Sequence, residues 1–249
     1  MLIGEMNKAV YGSVMSGILF YEKLAGFLDE QGFDPYPYDA CTWNKQVDGS
    51  QMTIQIYMDD ICCSHASQSA IDKMMEVTNK YFKTDKQELT VTVGNVHEYL
   101  GITIDFSDPK LVRFTMYDFL EDILTEADTQ GDMNGEAVTP ANDKLFEIDE
   151  ESEDLDEETA DFFHRMVARF LFIAKRTRPD IQLAVAFLCT RGKKPTRSDY
   201  LKLTRLVRYI RSTIHLPLLI GWDEAEYYYG VWMHHLQYIT ITSLTPVLY

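Results

Sequence analysis

QMTIQIYMDDICCSH, residues 51–65, is the stretch on which the reading of the first half of this chain turns. Ile54, Ile56 and Met58 alternate with Thr53, Gln55 and Tyr57, the period of a strand with one face in a core and the other free. The run meets Asp59-Asp60 and resumes at once as Ile61-Cys62-Cys63, which predicts a hairpin carrying two acids at its tip. Just upstream, CTWNK (41–45) and the pair Asp48-Gly49 predict another strand, joined to this one by a tight turn. Two adjacent carboxylates at a strand tip offer hard oxygen ligands for Mg²⁺. Asp is equally an ordinary turn residue, so the pair alone does not separate a site from a bend.

Working outward, Phe20, Leu24, Phe27 and Leu28 have the spacing of a helix burying one stripe, and Gly32 and Pro35 end it. A second helix is predicted from Ser67 to Phe82. ELTVTV (88–93) and EYLGITIDF (98–106) read as strands around Gly94-Asn95, and Asp108-Pro109 leads into LVRFTM (111–116). A helix near Tyr117 to Ala127 follows. Residues 1–128 are therefore expected to be α+β, with helices on an antiparallel sheet. Residues 129–161, rich in Gly, Pro, Asp and Glu, predict a mobile acidic linker.

From 162 to 215 the pattern is helical throughout. Met166, Val167, Phe170, Leu171 and Ala174 form one apolar stripe, with Arg165, Arg169 and Arg176 on the other side of that helix. Ile181, Ala184, Val185 and Leu188 mark a second helix. A third buries Leu203, Leu206, Val207 and Ile210 and turns Lys202, Arg205, Arg208 and Arg211 outward. This predicts a basic three-helix bundle. Residues 216–249 receive no assignment, and His234-His235 within them is read as an incidental exposed pair.

The chain has 249 residues, 46% hydrophobic and 25% charged, a globular composition sufficient for one large or two small domains. No run approaches the roughly 20 apolar residues of a membrane span, and the start MLIGEMNKAV lacks a signal pattern. An intracellular chain, in cytoplasm or nucleus and without a membrane partner, is expected. Cys41, Cys62, Cys63 and Cys189 form no CxxC pair, so reduced thiols and no structural zinc are expected. Adjacent cysteines on a strand face opposite ways, so Cys62 and Cys63 read as packing residues. His65 and His97 read as strand-end or turn residues.

Net charge is −16, which taken alone opposes a polyanionic partner. Its distribution argues otherwise. Residues 162–215 hold 13 Lys and Arg against two acids, Asp180 and Asp199, while 143–161 carry 11 acids against one Lys. Such a contrast between neighbours predicts a nucleic-acid surface flanked by a solvated acidic connector.

YMDD (57–60) between two apolar strands resembles the YxDD signature of reverse transcriptases, and the flanking blocks are similar to those of the copia-type LTR-retrotransposon branch. NKAVYGSVMSGILFYEKL (7–24), GFDPYPYDACTW (32–43), EYLGITIDF (98–106), RTRPDIQLAVAFL (176–188) and LKLTRLVRYIRST (201–213) occur in the family's order. The resemblance implies an RNA-directed DNA polymerase that uses dNTPs and an RNA/DNA template-primer duplex. It implies the later palm, then a helical thumb holding the duplex through Arg165, Arg169, Arg176, Lys202, Arg205, Arg208 and Arg211. Asp59 would ligate Mg²⁺ or Mn²⁺ and Asp60 would support that site. Tyr57 and Met58 would shape the surface under the primer terminus, and Tyr99, Leu100 and Gly101 would belong to a primer grip.

The family takes a further Asp from an earlier palm strand, upstream of the block at Asn7, where this chain begins. The expectation is a piece truncated at both ends, with an incomplete two-ion site and no polymerase activity in isolation. Val14, Met15 and Ile18 stand where the family has polar residues, which weakens nucleotide binding. The alternative reading is a non-enzymatic remnant that binds nucleic acid, associates with an intact element polyprotein, or is inert.

Overall fold

The structure, a computed structural model, describes residues 14–58, 60–83, 90–108, 110–221 and 238–243. The chain divides into two compact units. One comprises Met1–Tyr99, Phe106–Lys110 and Gly221–Tyr249, the other Leu100–Asp105 and Leu111–Ile220. The sequence reading set its boundary at 128; the structural division comes earlier, so the helix near 117–127 groups with the later helices.

In the first unit, α1 (Val14–Glu30) and α2 (Gln68–Phe82) accompany a six-stranded sheet. Its strands are β1 (Asp34–Tyr36), β2 (Asp39–Val47), β3 (Ser50–Tyr57), β4 (Asp60–His65), β5 (Thr90–Val93) and, from the far end of the chain, β10 (Tyr238–Ser243). The order is β1-β2-β3-β4-β10-β5, and each resolved pairing is antiparallel. Leu24, Phe27 and Leu28 of α1 and Ala70, Ile71, Met74 and Met75 of α2 share a core with Trp43, Met52, Ile54, Ile56, Ile61 and Cys63. The register explains which strand residues enter it: Trp43, Ile54 and Cys63 are ladder partners, so all three project to one face. Asn44, Thr53 and Ser64 form the next row and face the other way.

β10 is the element that sequence reading left unassigned. Tyr238–Ser243 pairs with His65–Asp60 on one side, and Thr240–Ser243 with Val93–Thr90 on the other. YITITS is alternating and β-branched, the composition of a strand that is paired along both edges. His234-His235 and the Asn7–Ser13 part of the first family block lie outside the described residues.

A second sheet has the strand order β6-β7-β8-β9, with β6 (Val96–Tyr99), β7 (Ile102–Asp108), β8 (Leu111–Thr115) and β9 (Leu218–Gly221). The helices of the second unit are α3 (Tyr117–Asp128), α4 (Glu157–Ala174), α5 (Gln182–Thr190) and α6 (Arg197–Ser212). A 3₁₀ turn, Pro179–Ile181, leads into α5. The predicted stripes are buried: Met166, Val167 and Phe170 of α4, Ala184, Val185 and Leu188 of α5, and Leu203, Leu206, Val207 and Ile210 of α6. Asp156 caps α4 by accepting from the Thr159 amide, and Thr196 with Asp199 makes a capping box at α6.

Residues 129–156 contain no long regular element, as their composition predicts, but they are not a loose connector. Met133 and Leu145 are 0% and 4% exposed and belong to the helical core, with Ala137, Ala141 and Leu155 packed against it. Two buried apolar side chains, each contributing about 1.5–3 kcal/mol, are enough to hold a polar segment down. Sequence averaging missed them because they are isolated among acids.

Candidate functional site

The β3–β4 hairpin is built by its turn. Tyr57 is the ladder partner of Asp60, so the connecting residues are Met58 and Asp59. Two-residue hairpin loops follow the strand twist best with positive φ, and Met58 has φ 52°. The same geometry joins β2 to β3, where Val47 faces Ser50 across Asp48 (φ 50°) and Gly49 (φ 81°). There the residue types suit the conformation. Met at such a position is an outlier whose side chain stands 75% exposed. Asp60 opens β4 and lies in the ladder, whereas Asp59 lies outside the described residues.

Asp60 alternates with core-facing Ile61 and therefore shares the open face of the sheet with Tyr57 and Cys62. Tyr99, the last residue of β6, joins this group. Its phenol is pushed well up, first by burial and then by Cys62, Asp60, Cys41 and Tyr57 around it. Of the EYLGI block, Tyr99 therefore feels the charge at Asp60. Tyr99 is followed by a second two-residue turn, Leu100 (φ 54°) and Gly101 (φ 74°), before β7 begins. The Phe106 amide donates to the Asn95 carbonyl, in step with that turn.

Burial pushes the Cys62 thiol up to about 12 and that of Cys63 higher still, so neither is a thiolate near neutral pH. His65 is buried, accepting from the Ser67 amide at Nδ1 while Nε2 lies 3.0 Å from the Val47 carbonyl. His97 is also buried, with Nε2 2.8 Å from the Gly94 carbonyl. Both histidines are turn fasteners. Among the described residues no three His, Cys, Asp or Glu side chains gather at one point, so those residues do not assemble a two-ion site. Along the ladder, Asp60 has Tyr57 on one side and Ser243 on the other, and neither can ligate as a carboxylate.

Six of the seven basic residues lie on α4 and α6 and Arg176 just beyond the end of α4, but they are not bare. Arg165 and Arg169 both reach Glu126 of α3, the latter at 2.6 Å. Arg176 lies over the Phe172 ring at 3.5 Å and donates to that residue's carbonyl. Arg211 pairs with Asp128, Arg208 donates to the Asp132 carbonyl, Arg205 to Thr139 Oγ1, and Lys202 to the Glu147 carbonyl. The outward row expected on α6 is half-buried beneath residues 128–147.

Sequence reasoning also missed a polar cluster inside the second unit. Arg178 is 1% exposed and holds Asp180 with two guanidinium nitrogens, Nε at 3.0 Å and Nη2 at 2.8 Å. It also donates to the Thr213 carbonyl and hydroxyl, and the Tyr209 hydroxyl donates to Asp180. The signal was available: Asp180 is one of only two acids in a strongly basic segment.

Among the described residues no helix is long and apolar enough to cross a membrane. No solved structure matches the chain. A Saccharomyces cerevisiae protein named for transposon Ty5-1 is 24% identical over 216 residues, 85% of this chain and 65% of that protein. An uncharacterised mitochondrial protein of Arabidopsis thaliana is 29% identical over 170 residues, 68% of this chain and 65% of that protein. The chain thus spans about two thirds or slightly less of each relative. Residues 3–142 match the family described as reverse transcriptase (RNA-dependent DNA polymerase), more than half the chain. With the YMDD hairpin, the ordered blocks and the transposon relative, this chain belongs to that family, in its copia-type retrotransposon branch.

Proposed function

We propose that this chain carries the palm hairpin and thumb of a retrotransposon RNA-directed DNA polymerase, and that alone it does not extend a primer. In this reading Asp59 is a ligand for Mg²⁺ or Mn²⁺, and Asp60 supports it. Tyr57 and Met58 lie under the primer terminus, and Tyr99, Leu100 and Gly101 belong to a primer grip. The observation that carries the reading is the β3–β4 hairpin, in which Tyr57 and Asp60 are ladder partners, with Tyr99 electrostatically coupled to both. It supports YMDD as a hairpin that presents its Tyr and second Asp side by side.

In-line phosphoryl transfer needs two ions clamping the attacking and leaving oxygens, and two ions need more carboxylate than one adjacent pair supplies. Activity would require a further carboxylate beyond the adjacent pair. Primer extension on poly(rA)·oligo(dT) with dTTP and Mg²⁺ or Mn²⁺ tests this. No incorporation is expected; incorporation by the pure protein overturns it.

The second reading, a non-enzymatic nucleic-acid binder, is favoured by the concentration of arginines on α4 and α6. Filter binding to an RNA–DNA hybrid at several salt concentrations separates it from an inert remnant. Phosphate contacts give a log K that falls linearly with log salt.

A further inference from the structure

The arginine row of α4 and α6 already has occupants, and they are chemically like phosphate. Glu126 holds Arg165 and Arg169, Asp128 holds Arg211, and Asp132 holds Arg197 at 3.4 Å while its carbonyl takes Arg208. Those acids follow the chain from the last turn of α3 into the segment anchored by Met133 and Leu145. The occupation is incomplete. Among the described residues, the Nε atoms of Arg205, Arg208 and Arg211 are buried without an acceptor, three donors in a row at i, i+3, i+6 on α6. A guanidinium has a fork of donors, and a bidentate acceptor such as phosphate can take Nε together with a terminal nitrogen, which the single carbonyl and hydroxyl oxygens holding Arg208 and Arg205 do not.

We infer that residues 126–139 are a built-in competitor for nucleic acid, covering the arginines of α4 and α6 so that a duplex gains them only by displacing Glu126, Asp128 and Asp132. This rests on the reading of those helices as the nucleic-acid surface and adds regulation to it. Met133 is buried in the core, so neutralising the acids frees the guanidiniums of Arg165, Arg169, Arg197 and Arg211 while the segment stays anchored.

The test compares three full-length proteins on a 20-base-pair RNA–DNA hybrid across a salt series: wild type, Glu126→Gln/Asp128→Asn/Asp132→Asn, and Asp143→Asn/Glu150→Gln/Glu151→Gln. The last loses the same three charges at residues that hold none of these arginines among the described contacts. The first variant is expected to bind about tenfold tighter than both others at moderate salt. Its log–log salt slope should steepen by roughly 2–3, one for each phosphate newly contacted. Circular dichroism verifies that both variants fold; if the first does not, Asp128→Asn alone is compared with Asp143→Asn and must show a smaller gain of the same sign. Equal gain in the control variant overturns the inference in favour of simple net charge. Measurable wild-type binding unchanged in the first variant overturns it and leaves the nucleic-acid reading standing. No binding by any of the three removes both.

Discussion

Arg178 and Asp180 form a two-pronged ion pair in which the guanidinium is almost wholly enclosed and the carboxylate is shared with Tyr209. The same guanidinium reaches Thr213, so one side chain ties the turn before α5 to the end of α6. Removing one partner of such a pair leaves a stranded charge and typically costs about 3–5 kcal/mol. Arg178→Met is expected to lower the urea midpoint by that order, and Arg178→Met/Asp180→Leu by less. A double variant as unstable as the single one would show that the pair is not the cause.

The same cluster has an acid limb. Burial works to raise the Asp180 pKa, but hydrogen bonds from Arg178 and Tyr209 and the Arg178 charge outweigh it and hold the carboxyl below its usual range. A depressed folded value means stability present above the unfolded value of about 4 and lost as pH falls through the folded one. Urea midpoints between pH 5 and 2 should therefore fall less steeply in Asp180→Asn than in wild type.

His97 contributes with a different window. Burial lowers its pKa, opposed by the hydrogen bond to Gly94, so the unfolded chain takes up a proton at higher pH than the folded one. Stability is then complete above the unfolded value of about 6.5 and declines as pH drops toward the lower folded value. His97→Gln should flatten the stability profile between pH 7 and 5; an unchanged slope would exclude His97 as its source.

Met58 occupies a left-handed turn position for which Asn or Gly is the natural occupant. Met58→Asn is expected to stabilise the protein by about 0.5–1 kcal/mol, a gain of roughly 2–4 °C in melting temperature. In the proposed function, the same change should weaken primer handling in any complemented polymerase assay. Loss of stability instead would mean that the Met58 side chain has packing that outweighs the strain.

In β10, the Thr240 hydroxyl is enclosed without a partner among the described residues. An unsatisfied buried polar group costs about 1–3 kcal/mol, so Thr240→Val should raise the thermal midpoint. Thr240→Pro removes a ladder donor and should expose the edges of β4 and β5. Concentration-dependent self-association by light scattering is the expected result for the proline variant alone.

Much of the fold was legible because its determinants are local. The Asp48-Gly49 turn, the Ile54–Ile56 alternation and the α6 stripe each depend on neighbours within a few residues. The YMDD hairpin was legible for the same reason, with Tyr57 and Asp60 as ladder partners. Nonlocal pairings were hidden. Nothing in YITITS names β4 as its partner, and nothing in Met133 or Leu145 marks them as anchors among acids. The arginines of α4 and α6 were counted correctly but taken as outward-facing, because charge alone does not reveal that Glu126, Asp128 and Asp132 come back to meet them.

β10 also sets the timetable of synthesis. Asp60–His65 emerges early from the ribosome, yet its ladder partner Tyr238–Ser243 follows only after every helix of the second unit has been made. Until then β4 and β5 present open edges, and late closure by a distant segment is slow. The strand that opens at Asp60 thus waits with one edge unpaired while the whole helical unit is added, and completes its sheet only by a long-range closure.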